Sequence, residues 1–519
     1  MLRTLMVIAM VAATQGQAAP LPFAVEEATI GSVHAAMRDG RLTCRGLVDA
    51  YLARITAYDK NGPAVNAIVT INPDATSIAD DLDRRFAAGG LTGPLHCVPM
   101  IVKDNFETQG LQTSNGALAF AGYLPAQDAT LVARARAAGA IVLAKSNMAE
   151  WAFSPVETVS SILPGYTKNP YALDRVTAGS SGGTAAAIAA NFGLVGLGSD
   201  TGDSIRGPAS HTNLAGIRST MGLTSRAGVF PLNLRADIAG PMTRTVEDMA
   251  IVFQAIAGAD PRDPATATAT GRTLPDVRTA LDRGGLKGVR IGVLREAYER
   301  DSSDPEIVAI FRAALDDLRR QGAIIVDPAP IEGYALPPRP APDAICMGFK
   351  HDLNQFLAAR ASPGASQVPL ADLAAILQSG RFHPSVAKRL EDAEKVPQNG
   401  TDSPACAADE AQREAFRTTV LKTMARLKLD AFVYPTWSNP PRLIGDLNTP
   451  GGDNSQVFAP ITGFPAVNVP MGHSRGGLLP VGITFLGRPW ADVDLIRFAY
   501  AYEQATRHRR PPPSTPPLR

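Results

Sequence analysis

Apolar and polar positions along the 519-residue chain alternate between two rhythms: the three-to-four-residue spacing of amphipathic helices and short unbroken apolar runs. "CRGLVDAYLARI" carries the helical spacing behind the capping residue Thr43, and "TSIADDLDRRFAAGG" carries it up to a glycine stop. "ATLVARARAAGAIVLAKSNM" reads as helix, glycine stop and then a strand from Ile141 to Ala144. "DPEIVAIFRAALDDLRRQGAIIVD" repeats that form, with Asp304 as cap, Pro305 in the first turn, Gly322 as stop and a buried strand to follow. Near the C-terminus "LKLDAFVYP" predicts a strand and "VDLIRFAYAYEQAT" a helix. Helices alternating with short strands place the chain in the α/β class.

Two stretches interrupt the pattern. "GADPRDPATATATGRTLPD" reads as a Pro/Thr-rich surface loop, and residues 331–415 hold only weak helical pieces such as "LADLAAILQSG", as a lid or pocket wall would. The tail "RRPPPSTPPLR" (509–519) is expected to be disordered. At the other end, "MLRTLMVIAMVAATQGQAAP" has a basic start, an apolar run too short to span a bilayer, and Gly16-Gln17-Ala18. That is the layout of a signal peptide covering residues 1–19, so an exported protein, periplasmic or secreted, is expected.

Composition narrows the partners. Fifty Lys and Arg balance 49 acidic residues, which gives no reason to expect a nucleic acid or an acidic polymer. Seven scattered histidines without HExxH give no metal site. Cys44, Cys97, Cys346 and Cys406 form no CxxC pair, and the expectation is four free, mostly buried thiols; in an exported protein a Cys346–Cys406 bridge is the alternative.

The chemistry lies in "AGSSGGTAAAIAANFGLVGLGSDTGDSIRGPAS", residues 178–210, which offers several serines and no histidine before His211. "GSSGG" matches the G-x-S-x-G elbow and would nominate Ser181, but an elbow needs a buried strand in front of it. The preceding "GYTKNPYALDRVTA" is polar and turn-rich, so no such strand is expected. A phosphate loop lacks its lysine motif, which leaves glycines for a tight turn and serines capping the helix "TAAAIAANFG". Ser204 is the better nucleophile: it follows a buried strand, Leu194 to Leu197, and a Gly-containing turn whose N–H groups can form an oxyanion site. A base is offered upstream by "GPLHCVPMIVKDNFETQG", where Lys103 ends the apolar run Val98 to Val102 and can lose its charge by desolvation.

Together "GPLHCVPMIVKDN", "AKSNMAEWAF", "TAGSSGGTAAAIAA", "GLGSDTGDSIRGPAS", "GIRSTMGLTSRAGVFP" and "DIAGPMTRTVEDMA" resemble the amidase signature family. So do "FAPITGFPAVNVPMG" and "LPVGITFLGRPWADVDLIRFAYAYEQAT". The resemblance is dense over residues 93–257 and 429–506 and poor through 331–415. It implies one α/β domain over 24–508, a mixed, mostly parallel sheet with helices on both faces, and 331–415 as a variable pocket-forming insertion. It implies a Ser–Ser–Lys triad in which Lys103 is the base, Ser180, on a cis peptide, the bridge and Ser204 the nucleophile. The oxyanion would be held by the N–H groups of Thr201, Gly202, Asp203 and Ser204.

The implied activity is hydrolysis of a carboxylic amide through a seryl acyl-enzyme, with esters or carbamates as further substrates. No cofactor or metal is implied, and the state is monomer or homodimer. Export disfavours the amidotransferase branch, and three rivals remain. One is a peptide- or carbamate-directed hydrolase against a small-amide one, decided by the pocket that residues 331–415 build. The others are a Ser–His–Asp esterase and a non-catalytic binding protein on the same scaffold, with Asp203 as the disabling change. The departure that matters is Asp203, where the family carries glycine. Like charge forbids its carboxylate from facing an oxyanion, so it packs away, or holds Lys103 or a substrate amine. "TAG" in place of "PGG" and Cys97 in place of glycine are weaker departures. Asp200 and Arg206 read as a buried ion pair or helix cap, and Trp151, Phe153, Trp437 and Phe464 as pocket walls.

Overall fold

The computed structural model describes residues 23–332, 346, 348–360, 368–396 and 403–518. The expected signal peptide lies outside these residues. In chain order the strands are β1 Ile68–Ile71, β2 Val98–Lys103, β3 Ala140–Ser146, β4 Lys168–Asn169, β5 Ala172–Val176, β6 Val195–Asp200, β7 Ala215–Arg218, β8 Ile238–Thr243, β9 Arg290–Val293, β10 Ile324–Val326, β11 Ala431–Pro435, β12 Ala466–Ser474 and β13 Leu479–Leu486. Eleven of them form one sheet, ordered β1-β3-β2-β6-β8-β7-β12-β13-β11-β9-β10.

The sheet is mixed and flanked by helices. β3, β2 and β6 run parallel, as do β10, β9 and β11, and the pairs between these two blocks are antiparallel. β2, β3 and β6 are buried along their whole length, so their side chains serve two helical layers at once. The helix Gly182–Ala189 is buried throughout and packs on β2 and β6. Its alanines allow that close approach, and its N-terminus is carried to the carboxyl ends of the parallel strands, where open α/β sheets bind ligands.

Local signals hold at several places. The Thr43 hydroxyl accepts from Gly46 N–H, and Asp304 accepts from the N–H groups of Glu306 and Ile307 above Pro305. Others fail because tertiary pairing is not local. The strand after Gly322 is β10, the outer edge of the sheet, with Ile324 46% exposed rather than buried. A strand, β5, does precede "GSSGG", but it lies outside the main sheet, paired with β4 in a small ribbon and bridged at Arg175 to Leu443. The buried strand that an elbow needs is still missing.

All four thiols are paired: Cys44 with Cys97, and Cys346 with Cys406. The expectation of free cysteines is therefore corrected; residues 53 and 60 apart in sequence give no local sign of contact. Cys97 takes a left-handed backbone, φ 58°, a conformation that favours glycine. The tail is also not disordered over its described residues. Arg509 pairs with Glu27 at 2.8 Å, and the carbonyls of Thr515 and Pro516 accept from buried Arg54.

Candidate active site

Lys103 is the last residue of β2, and Ser199 and Asp200 close the neighbouring parallel strand β6. The Lys103 side chain is wholly buried, with its Nζ 2.7 Å from Ser180 Oγ and 2.9 Å from Ser199 Oγ. Burial pulls the amine down to about 7, against the opposing charges of Asp200 and Asp237. A lysine that loses its proton near neutrality, with hydroxyls as its partners, is equipped to act as a base.

Ser180 follows a cis peptide after Gly179. Gly179 has no room for a side chain: a Cβ there would lie 2.5 Å from Ser154 O. Ser181 stands at the helix N-terminus but makes no side-chain cap. Its hydroxyl instead donates to Ser199 O at 3.1 Å, and its N–H donates to Ser204 O at 3.2 Å. Ser181 thereby ties the 180 loop to the 200 loop. Ser204 Oγ forms no hydrogen bond with any described residue, and Ser204 lines a cavity of about 280 Å³. The Ser180-to-Ser204 step is thus not closed by a hydrogen bond in this conformation.

The loop from Thr201 to Ser204 fits the expected oxyanion site. All four residues line the cavity, and none of their backbone N–H groups donates to a described residue. Behind them, Asp200 Oδ2 accepts from Ile205 N–H (3.2 Å) and from Arg206 Nε (3.1 Å), while Asp200 Oδ1 accepts from Arg218 Nη1 (3.0 Å). Burial would raise this carboxyl, but Arg206 and Arg218 outweigh it and hold it at about 2. Asp200 and Arg206 form an ion pair, Asp200 also accepts from the N–H groups at the start of the helix Arg206–His211, and together they hold the loop from beneath.

Asp203 has a wholly buried side chain, engaged by Trp437. Its backbone needs no left-handed φ, and its Oδ2 accepts from Trp437 Nε1 at 2.8 Å. Lys103 bonds to Ser180 and Ser199 instead, so the Asp203 carboxyl does not hold it.

Of the aromatics expected as walls, Phe153 lines the cavity, with Arg389 stacked 4.2 Å over its ring. Trp151, Trp437 and Phe464 do not line it. Trp151 is locked edge-on between Phe120 and Phe349, Phe464 is packed among the buried side chains of β11, β12 and β13, and Trp437 stands behind Asp203. Apolar rings gain more from full burial than from a wet wall, and sequence cannot show which face they meet. Arg389 and Arg413, both from the 331–415 segment, and Gln456 line the cavity without any motif to announce them. Ser199 also escapes sequence reasoning; its place beside Lys103 at the ends of adjacent parallel strands is the signal that could have found it.

His211 cannot supply a base. It is buried against Trp437, ring centroids 4.7 Å apart, and burial pushes its pKa down to about 3. No histidine among the described residues lines the cavity, so a Ser–His–Asp esterase is not supported.

Comparison with known proteins agrees with this geometry. The Amidase family model matches residues 46–496. The chain is 34% identical to the Arabidopsis thaliana protein named "Probable amidase At4g34880", over 94% of this chain and 92% of that protein. It is 35% identical to a glutamyl-tRNA(Gln) amidotransferase chain of Symbiobacterium thermophilum, over 92% of this chain and 96% of that one. The native peptide amidase of Stenotrophomonas maltophilia superposes with a TM-score of 0.81 at 36% identity, covering 94% of this chain and 98% of that one. The chain belongs to the Amidase family and is an enzyme that hydrolyses carboxylic amide C–N bonds.

Proposed function

We propose that Ser204 is the nucleophile, Ser180 the proton bridge and Lys103 the base. The observation that carries this reading is the desolvated Lys103 amine 2.7 Å from Ser180 Oγ, beside a loop with four unengaged N–H groups. Neutral Lys103 takes the proton of Ser180 as Ser180 takes that of Ser204, and Ser204 Oγ bonds to the amide carbon. The carbonyl oxygen gains the negative charge and is held by N–H groups of residues 201–204, each worth about 2.7–4 kcal/mol by the usual cost of losing such a donor. The proton returns through Ser180 to the leaving nitrogen as the C–N bond breaks, and water repeats the cycle on the acyl-enzyme.

The substrate we propose is a small amide or the amide end of a peptide. The cavity of about 280 Å³ and the likeness to a peptide amidase support it. Esters and carbamates fit the same acyl-enzyme route. Export is proposed as well, supported by the N-terminal pattern and by two disulfides, which persist in oxidising compartments.

A panel of primary amides, peptide amides, anilides and carbamates tests the substrate. Turnover of at least one, lost in Ser204→Ala, is expected; turnover that survives Ser204→Ala overturns the assignment. N-terminal sequencing of protein from the native host tests export. A mature chain that begins after Ala18 or Ala19 is expected, and one that begins at Met1 contradicts it.

A further inference from the structure

Asp203 sits in an arrangement that the proton relay does not use. Its side chain is wholly buried beside that of the half-buried Asp453, and Trp437, whose indole donates to Asp203, is bridged through its backbone to Asp453. Asp453 Oδ1 accepts from Ser455 N–H at 2.9 Å and its Oδ2 from Gln456 Nε2 at 2.6 Å. Asp203 Oδ2 accepts from Trp437. Of the four carboxyl oxygens only Asp203 Oδ1 is buried without a donor, with Arg206 Nη2 3.8 Å away. A wholly buried carboxylate is repelled by a second one beside it, and a proton between them removes both the repulsion and the unsatisfied oxygen.

We propose that Asp203 is a carboxylic acid at neutral pH, donating its proton from Oδ1 to Asp453, and that this bridged pair clasps the loop carrying Ser204 to the 451–456 loop. Burial and the neighbouring Asp453 push the Asp203 carboxyl well above the ordinary range, against Arg206. The other groups facing the pair are Asp200, which favours the proton further, and the Tyr434 hydroxyl; His211, behind Trp437, is neutral. The clasp reaches the cavity. Gln456, held by Asp453, abuts Gly202, and Arg206 donates to both Gly202 O (2.7 Å) and Ser455 O (3.3 Å). Asp203 and Asp453 are positioning residues for the oxyanion loop, a role that rests on the Ser204 assignment.

The experiment has two readouts. Infrared difference spectra of parent against Asp453→Asn at neutral pH need no substrate. A protonated-carboxyl band present in the parent and absent in the variant is expected, because the introduced amide would donate to an ionised Asp203. The second readout is the rate at which a fluorophosphonate probe labels each variant. Asp453→Ala is expected to slow labelling about tenfold or more, and Asp453→Asn to recover to within about threefold of the parent, the difference one buried hydrogen bond makes. The parent rate falls at alkaline pH as the pair loses its proton, and Asp453→Asn lacks that fall. Absence of the band overturns the shared proton whatever the enzyme does. Asp453→Asn labelling as slowly as Asp453→Ala, or keeping the same alkaline fall, overturns the clasp.

Discussion

Two buried lysines on neighbouring strands meet opposite fates. Lys103 ends β2 and Lys145 lies on β3, and both are wholly out of solvent. Lys145 Nζ donates to Phe106 O (2.7 Å) and Thr113 Oγ1 (2.8 Å) and pairs with Asp104 at 3.4 Å. A carboxylate and a carbonyl can only accept, so they hold Lys145 as an ammonium; burial brings it to about 8 with Asp104 opposing. Lys103 faces two hydroxyls at 2.7 and 2.9 Å, with the Ser199 carbonyl farther off at 3.5 Å and no carboxylate bonded to it, and falls to about 7. Burial depresses both lysines, but only partners that can donate back allow one to work as a neutral base.

Substitution separates the two lysines most sharply. Lys103→Met removes the base and should slow probe labelling of Ser204 by about 1,000-fold or more, as loss of a triad member does, with the fold intact by circular dichroism. Lys145→Met should do the reverse, destabilising the fold by about 3–5 kcal/mol because Asp104 is left buried and unpaired, while the folded fraction labels normally. If Lys145→Met abolished labelling in a folded protein, the contrast would be wrong.

Ser199→Ala removes one hydroxyl from Lys103 and should slow labelling about tenfold, the effect of one lost hydrogen bond in the site. Stability carries the same signature with its own sign. The folded Lys103 pKa of about 7 lies below its ordinary value of 10.5, so the folded state binds fewer protons than the unfolded one between these two values. Its contribution to stability therefore rises with pH across that window and is least below about 7. Thermal unfolding of Lys103→Met at pH 6 and pH 9 should lack the rise that the parent carries from this group. The smallest effect on chemistry is expected from Cys44→Ser with Cys97→Gly, which unties the start of β2. It should cost about 2–5 kcal/mol in chemical denaturation with little change in labelling at low temperature.

Much of this site could be read from sequence because its parts are local. Lys103 stands at the end of a buried run and Ser204 follows a short strand and a glycine turn, both within motifs of a few residues; Ser180, just ahead of the helix Gly182–Ala189, is singled out only by the family resemblance. What escaped depends on residues far apart in sequence. Asp203 finds Trp437 and Asp453 across more than 200 positions, the disulfides close long loops, and the strand after Gly322 is exposed only because no further strand pairs with it. The aromatics failed for a related reason. Composition says that Trp151 and Phe464 are buried, but only packing says against what.

The central claim is that an uncharged Lys103 makes Ser204 reactive. The most direct measurement is the rate of fluorophosphonate labelling from pH 5 to 9, with the modified residue located by peptide mapping. A rate that climbs through about pH 7, with the label on Ser204 and the climb lost in Lys103→Met, is predicted. A rate independent of pH in the parent, or a label on another residue, would contradict it.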